Sequence, residues 1–428
     1  MPIHPGHHQN GQQVTPLPRR PRERVAGGMF QAVTRVAGFR PEMIPDHLRR
    51  QLRIIGATDE QLRRVLPGLR SLGRWPYAWE DEGDRCAFIG DWEGAFTAYY
   101  VAQRILLARS PLKQRLYRLA LEAYAQVDQP ELERLDVLNG AGERIAGYLQ
   151  LPTQRVIGDR TDAPVPCVVI VPGITGTKEE LHAFAMPMLR RGVAVVRIDN
   201  PMYGETEGIL DSPNVTNARF VLDELAKDSR LDSGSLHLYG MSLGANFAIE
   251  AALGSRAASL SVICPPFEPS RYFRELPTLN LTALQHMTQR RDLDDLMVFA
   301  GENDRLHTAP QLTIPVRIFH GGRDRTIPVA DAHLFAAALG GPSAVTVYER
   351  DHHNCLEHLD EITANILEFV HDPLGTCERA ALVERIDESA SIHVTDREAM
   401  LARAGVQPHR RIARLPFQLP GLRPRTAS

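Results

Sequence analysis

Leu236-His237-Leu238-Tyr239-Gly240-Met241-Ser242-Leu243-Gly244-Ala245-Asn246-Phe247-Ala248-Ile249 holds a short apolar run, a G-x-S-x-G turn and the start of an apolar helix. Five residues are enough for a buried strand and too few for a helix. A serine at the apex of a strand-to-helix turn, flanked by glycines that let backbone and helix approach, has the pattern of a nucleophile elbow. A purely structural turn of the same composition is the bland alternative.

Further apolar runs lie on either side. Upstream are LERLDVL and RIAGYLQLP, joined by the hairpin signal Asn139-Gly140-Ala141-Gly142, then CVVIV and VAVVRID. Downstream are SLSVI, VRIFH and AVTVY. Helical stretches separate most of them: from about Lys178, near 214–227, from Ser242, and from about Leu356 to Val370. A hairpin entry followed by strand–helix alternation predicts an α/β fold, a mostly parallel twisted sheet with helices on both faces.

A serine at neutral pH needs a base, and the base an orienting acid. VRIFH runs into Gly321-Gly322-Arg323-Asp324, and AVTVY into Glu349-Arg350-Asp351-His352-His353. The order Ser, Asp, His, each just after a strand, suits the elbow. The arginines flanking Asp324 allow a surface ion pair instead, and periodicity does not choose between His352 and His353. An oxyanion needs backbone donors. Leu243 offers one N–H, and Pro172-Gly173-Ile174-Thr175-Gly176 could offer another from Ile174 or Thr175. The glycines of that loop match neither a Walker motif nor a dinucleotide fingerprint.

Upstream of the sheet the apolar period is helical. Thr58, Asp91 and Ser110-Pro111 are cap signals. The stripes are Leu62, Val65, Leu66, Leu69; Ala95, Tyr99, Ala102, Leu106; and Leu112, Leu116, Leu119, Ala123. The aromatics Trp75, Tyr77, Trp79, Phe88 and Trp92 are expected in their core. The chain of 428 residues thus divides into a basic arm (1–40), a helical N-terminal cap or lid (41–130), a catalytic domain (131–371, with an insertion at about 267–310) and a C-terminal extension (372–428). The arm and an Arg/Pro-rich tail are expected to be disordered surface segments; His4, His7 and His8 sit in the arm without a scaffold for a metal.

Composition narrows the function. Forty-nine basic against 52 acidic residues give a net charge of −3, so no global field gathers nucleic acid or an anionic membrane. No apolar run spans a bilayer, and the N-terminus lacks the apolar core of a secretory signal. Five scattered cysteines without C-x-x-C spacing indicate neither a disulfide framework nor a zinc knuckle. These point to a soluble, cytoplasmic, globular protein and say nothing about chemistry; a small-molecule substrate and a possible homodimer are the expectations for its partners.

With those residues in place, residues 132–370 resemble the α/β-hydrolase superfamily. Pro172 to Glu180, PGITGTKEE, resembles the GG-x-x-x-x-KEE segment of the branch containing 2,6-dihydroxypseudooxynicotine hydrolase, the FrsA-like esterases and fungal polyketide-shortening hydrolases. The resemblance implies cleavage of C–C bonds beside carbonyls, or of esters, without metal or organic cofactor, under a helical N-terminal cover. It also implies a His-x-Cys at the catalytic histidine, which favours His353-Asn354-Cys355 over His352. The loop Asp199-Asn200-Pro201-Met202-Tyr203-Gly204-Glu205-Thr206 departs from the branch's Gly-Pro-Gly-x-Gly form. Glu268 and Glu275 lie where C–C hydrolases of the branch place a substrate-positioning acid, but neither matches a motif. Two other readings compete with hydrolysis: an acyl-eliminating or acyl-transferring enzyme of polyketide-type biosynthesis using the same site, and a non-catalytic binding protein of the same fold.

Overall fold

The computed structural model describes residues 46–106, 110–152, 163–211 and 214–377. The expected N-terminal arm, and the C-terminal extension beyond residue 377, lie outside them.

Eight strands form one sheet: β1 (Glu133–Leu138), β2 (Arg144–Gln150), β3 (Val165–Val171), β4 (Ala194–Ile198), β5 (Leu231–Met241), β6 (Ser259–Ile263), β7 (Val316–Gly321) and β8 (Ser343–Tyr348). Their order is β1-β2-β4-β3-β5-β6-β7-β8. β2 pairs antiparallel with β1 and β4, and every later pairing is parallel. At the hairpin, the Asn139 side chain accepts the N–H groups of Ala141 and Glu143, and Gly142 takes φ +78°.

Alternate side chains divide between the two faces. Val169, Val171, Leu236, Leu238, Leu260 and Val262 pack with helices Asn217–Leu225, Leu243–Ala252 and Val329–Ala338. Val168, Ile170, Tyr239, Met241 and Ile263 pack with helices His182–Arg190 and Leu359–His371. The insertion adds Thr278–Thr288 and Leu293–Glu302, whose Leu284, Met287, Leu296 and Phe299 join the first face.

The N-terminal helices are α1 (Asp46–Ile54), α2 (Asp59–Val65), α3 (Trp75–Phe88), α4 (Trp92–Arg104) and α5 (Pro111–Tyr124). Thr58 closes a full capping box with Gln61, Asp91 accepts Gly94 N–H at 2.9 Å, and Ser110 accepts Lys113 N–H at 3.2 Å. The helices share a core of their own, including Leu62, Leu69, Trp79, Phe96, Tyr100 and Leu116. The core expectation holds for Trp75 and Trp79 and fails for Phe88 and Trp92, which are exposed at the α3–α4 turn. They flank the tight turn around Gly90 (φ +77°), and among the described residues neither is buried.

These helices meet the sheet along a buried polar seam. On β4, the Arg197 guanidinium donates to the Tyr124 hydroxyl of α5 at 2.8 Å and to Gln150 Oε1 of β2 at 2.6 Å. Tyr124 also meets His182 Nδ1 and Gln129 Oε1, each at 3.0 Å. Among the described residues no helix is long and apolar enough to cross a membrane.

Tyr124→Phe strips a partner from a fully buried guanidinium. A loss of about 1–3 kcal/mol in urea unfolding is expected, the cost of an unsatisfied buried donor.

Candidate active site

β5 delivers Ser242 to the C-terminal edge of the sheet. Ser242 sits at φ +53° and ψ −127°, a conformation side chains other than glycine rarely adopt. Its neighbours show why the turn needs glycine on both sides. A Cβ on Gly240 would lie 2.5 Å from Ala245 Cα, and one on Gly244 would fall on the Pro172 carbonyl oxygen. The strained residue is pinned by its N–H to Ile263 O at 2.9 Å and by Ala245 N–H to its own carbonyl at 2.8 Å.

The structure brings Ser242, His353 and Asp324 into one line. His353 Nε2 lies 2.9 Å from Ser242 Oγ, and Nδ1 lies 2.7 Å from Asp324 Oδ2. With Nδ1 donating to the carboxylate, Nε2 is left to accept from the hydroxyl. Asp324 Oδ1 is held by the N–H groups of Thr326 and Ile327, at 2.7 and 3.0 Å. Burial opposes charge on His353, but the Asp324 carboxylate outweighs it and raises the imidazole above its ordinary range. Burial would likewise raise Asp324, yet His353 and the backbone donors hold it well below the usual carboxylate range. His352 points elsewhere, its Nδ1 meeting Arg323 O at 3.1 Å.

Local backbone makes that choice between adjacent histidines. His353–Cys355 is a short 3₁₀ turn with Asn354 and Cys355 at positive φ. Asp351, almost fully buried, accepts from His352 N–H, Glu357 N–H and the His358 ring. Cys264, itself at φ +46°, accepts Asn354 N–H at 3.3 Å from behind the histidine. Sequence reasoning missed Asp351 and Cys264 as shapers of this loop, because neither belongs to a periodic or spaced pattern.

Gly173 abuts the nucleophile: a Cβ there would stand 3.5 Å from Ser242 Cβ. Asn200 fixes this loop by donating to the carbonyls of Pro172 (2.9 Å) and Gly173 (3.1 Å), and Gly176 N–H closes back on Gly173 O. Ile174 and Thr175 are half-buried, and among the described residues the N–H groups of Ile174, Thr175 and Leu243 have no acceptor. They are free to serve an oxyanion.

The expected helix from Lys178 begins only at His182, because the intervening side chains are engaged elsewhere. The buried Lys178 ammonium lies 2.9 Å from Glu179, 2.8 Å from Asp199 and 2.9 Å from Glu205, with Tyr117 of α5 at 3.2 Å. Glu268 pairs with Arg271, and Glu275 is exposed; neither is linked to the triad by any contact described. Cys264, Asp324 and His353 bring one sulfur, one oxygen and one nitrogen within 4.8 Å of each other. His353 and Asp324 are already bonded to each other, so the arrangement suits proton transfer before metal ligation.

Comparisons with known proteins agree with the resemblance. The FrsA-like esterase family matches residues 68–265. The chain is 26% identical over 241 residues to 20-hydroxy-prefusarin hydrolase of Gibberella moniliformis, covering 48% of this chain and 57% of that one. It is 25% identical over 202 residues to 2,6-dihydropseudooxynicotine hydrolase of Paenarthrobacter nicotinovorans, covering 46% and 54%. The matched region thus spans little more than half the length of these curated relatives. The crystal structure of 2,6-dihydroxy-pseudo-oxynicotine hydrolase superposes with a TM-score of 0.63 at 18% identity, over 76% of this chain and 95% of that one. The fold is that of the α/β-hydrolases.

A base must be neutral to accept a proton, so any turnover of a 4-nitrophenyl ester that uses His353 as its base is expected to rise with pH through the His353 ionisation. Asp324→Asn removes the charge that raises it. The acid limb of kcat/KM against pH should move to lower pH, and the plateau should fall by roughly 10³–10⁴-fold. His352→Ala should leave both nearly unchanged.

Proposed function

We propose that this chain, an α/β-hydrolase related to the FrsA-like branch, is a serine hydrolase acting on a small or medium organic substrate, at an ester or at a C–C bond beside a carbonyl. The observation that carries the reading is the unbroken line Ser242 Oγ–His353 Nε2 and His353 Nδ1–Asp324, set on a strained elbow beside unpaired loop N–H groups. Ser242 attacks the carbonyl carbon as His353 takes its proton. Asp324 stabilises the imidazolium, and the N–H groups of Leu243 and of Ile174 or Thr175 receive the oxyanion. His353 then protonates the leaving alkoxide or carbanion; in the second half it takes a proton from water, which attacks the acyl carbon, and returns that proton to Ser242 Oγ as the acid leaves.

The N-terminal helices fit the role of a cover, because they touch both banks of the site. Tyr100 of α4 reaches Thr177, just past the oxyanion loop, and Arg50 of α1 pairs with Glu357, just past the histidine. Ser242 retains about 9% exposure, which suits an enclosed pocket and a substrate of limited size. The weakness of Glu268 and Glu275 as assisting acids favours esters over C–C bonds.

A fluorophosphonate probe should label wild type at Ser242 with one equivalent per chain and leave Ser242→Ala unlabelled. Turnover in ¹⁸O-water should place one heavy oxygen in the acid product. An unlabelled wild type would return the chain to a binding role; product formed without solvent oxygen would mean elimination or acyl transfer.

A further inference from the structure

Tyr100 and Arg104 stand one turn apart on α4 and so share a face. Both grip the same carboxylate: the Tyr100 hydroxyl donates to Glu180 Oε2 at 2.6 Å, and the Arg104 guanidinium is ion-paired with Oε1 at 2.6 Å. The phenol oxygen also accepts Thr177 N–H at 3.2 Å. Burial first, and then Glu180, pushes the Tyr100 ionisation well above its ordinary value. The phenol therefore keeps its proton, donates it in a hydrogen bond to Glu180, and turns a lone pair to Thr177 N–H.

The segment 172–178 has other anchors: Asn200 on the carbonyls of Pro172 and Gly173, the Gly176–Gly173 turn, Asp199 Oδ1 accepting Lys178 N–H at 2.7 Å, and, at its far end, the Tyr117 hydroxyl of α5 accepting from Lys178 Nζ at 3.2 Å. Among the described residues, the Tyr100 hydroxyl is the group from the N-terminal helices that bonds the backbone of the segment. Between it and the oxyanion donors the packing is tight. A Cβ on Gly176 would stand 2.9 Å from Pro172 Cβ and 3.2 Å from Glu180 Oε2, so a shift at Thr177 is passed along the loop rather than absorbed.

We propose that Tyr100, held by Glu180 and Arg104, is a positioning residue for the oxyanion loop: through Thr177 it sets the direction of the Ile174 and Thr175 N–H groups, which makes the N-terminal helices a fixed part of the catalytic centre. This rests on the serine-hydrolase reading above. An oxyanion donor counts in the transition state and little in the ground state, and one donor is worth about 10²–10³ in rate.

The test compares wild type, Tyr100→Phe and Glu180→Gln on a 4-nitrophenyl ester, with rates expressed per fluorophosphonate-titrated serine. Tyr100→Phe is expected to lose about 10–100-fold in kcat, with KM within about two-fold, and affinity for an arylboronic acid transition-state mimic should fall in parallel with kcat/KM. Glu180→Gln keeps an acceptor for the phenol and should lose only a few-fold. If Tyr100→Phe does not fold, a kcat loss at constant KM in Glu180→Gln carries the proposal, and an unchanged kcat overturns it. A normal kcat per titrated site in Tyr100→Phe, a rise in KM alone, or undiminished boronate affinity also overturns it. A wild type that takes up no fluorophosphonate overturns the serine reading itself, a result separate from all of these.

Discussion

The strained turn at Ser242 is the constraint around which the rest is built. Holding a side chain at φ +53° costs on the order of 1–3 kcal/mol, and the fold must over-determine it. It does so from three sides. Ile263 O of the neighbouring strand accepts the serine N–H. The helix that follows buries Leu243, Phe247, Ala248 and Ile249 against the sheet. The Pro172 carbonyl closes in where Gly244 has no side chain. The last contact matters chemically, because the same approach that requires Gly244 brings the Gly173 loop beside the nucleophile. Strain at the elbow and proximity of the Gly173 loop to Ser242 are one geometric fact.

The Lys-Glu-Glu segment has a different logic from the triad. One ammonium faces three carboxylates, and the electrostatics are uneven. Burial and the neighbouring Glu179 push Asp199 up to about 6 against the pull of Lys178, while Glu179 and Glu205 are held below their ordinary values by the ammonium despite burial. Asp199 nevertheless accepts Lys178 N–H, Lys178 Nζ and Glu205 N–H. It thereby ties the end of the segment 172–178 to the loop after β4. Gly204 (φ +58°) is what lets that second loop fold over the carboxylate, since a Cβ there would collide with Asp199. The absence of a Gly-Pro-Gly-x-Gly form from residues 199–206 leaves this arrangement standing, because one glycine at the crossing point is enough for it.

Most of the sheet was legible because its strands are buried on both faces and read as apolar runs; SLSVI coincides with β6, residue for residue. The elbow was legible because strand, glycines and helix must be contiguous. What escaped depends on contacts between distant segments. His352 and His353 differ in sequence only by the company of Cys355, and the distinction is made by Asp351, Asn354 and Cys264 acting on backbone dihedrals. The helix after β3 starts four residues later than its pattern suggests, because Lys178, Glu179 and Glu180 are partners of Asp199, Tyr117, Tyr100 and Arg104. Phe88 and Trp92 read as core because aromatics usually are, and only the packing around the α3–α4 turn reveals otherwise.

The seam between the N-terminal helices and the sheet raises the question of what holds it. Its charges are poor candidates for net stability, because each ion gave up hydration that mutual attraction roughly repays. The apolar part of the seam is better placed: Phe96, Tyr100, Tyr124 and Tyr148 pack as a cluster, with Phe96 and Tyr124 ring centroids 4.8 Å apart. Aromatic surfaces alone would tolerate sliding by a few ångströms. The ionic partners do not, since a displacement of that size leaves Lys178 or Arg197 buried without its bonds, at several kcal/mol each. Aromatic burial thus supplies the attraction, and the buried charges select one register. A register fixed to within a hydrogen bond is what a rigid wall requires and a freely swinging lid does not.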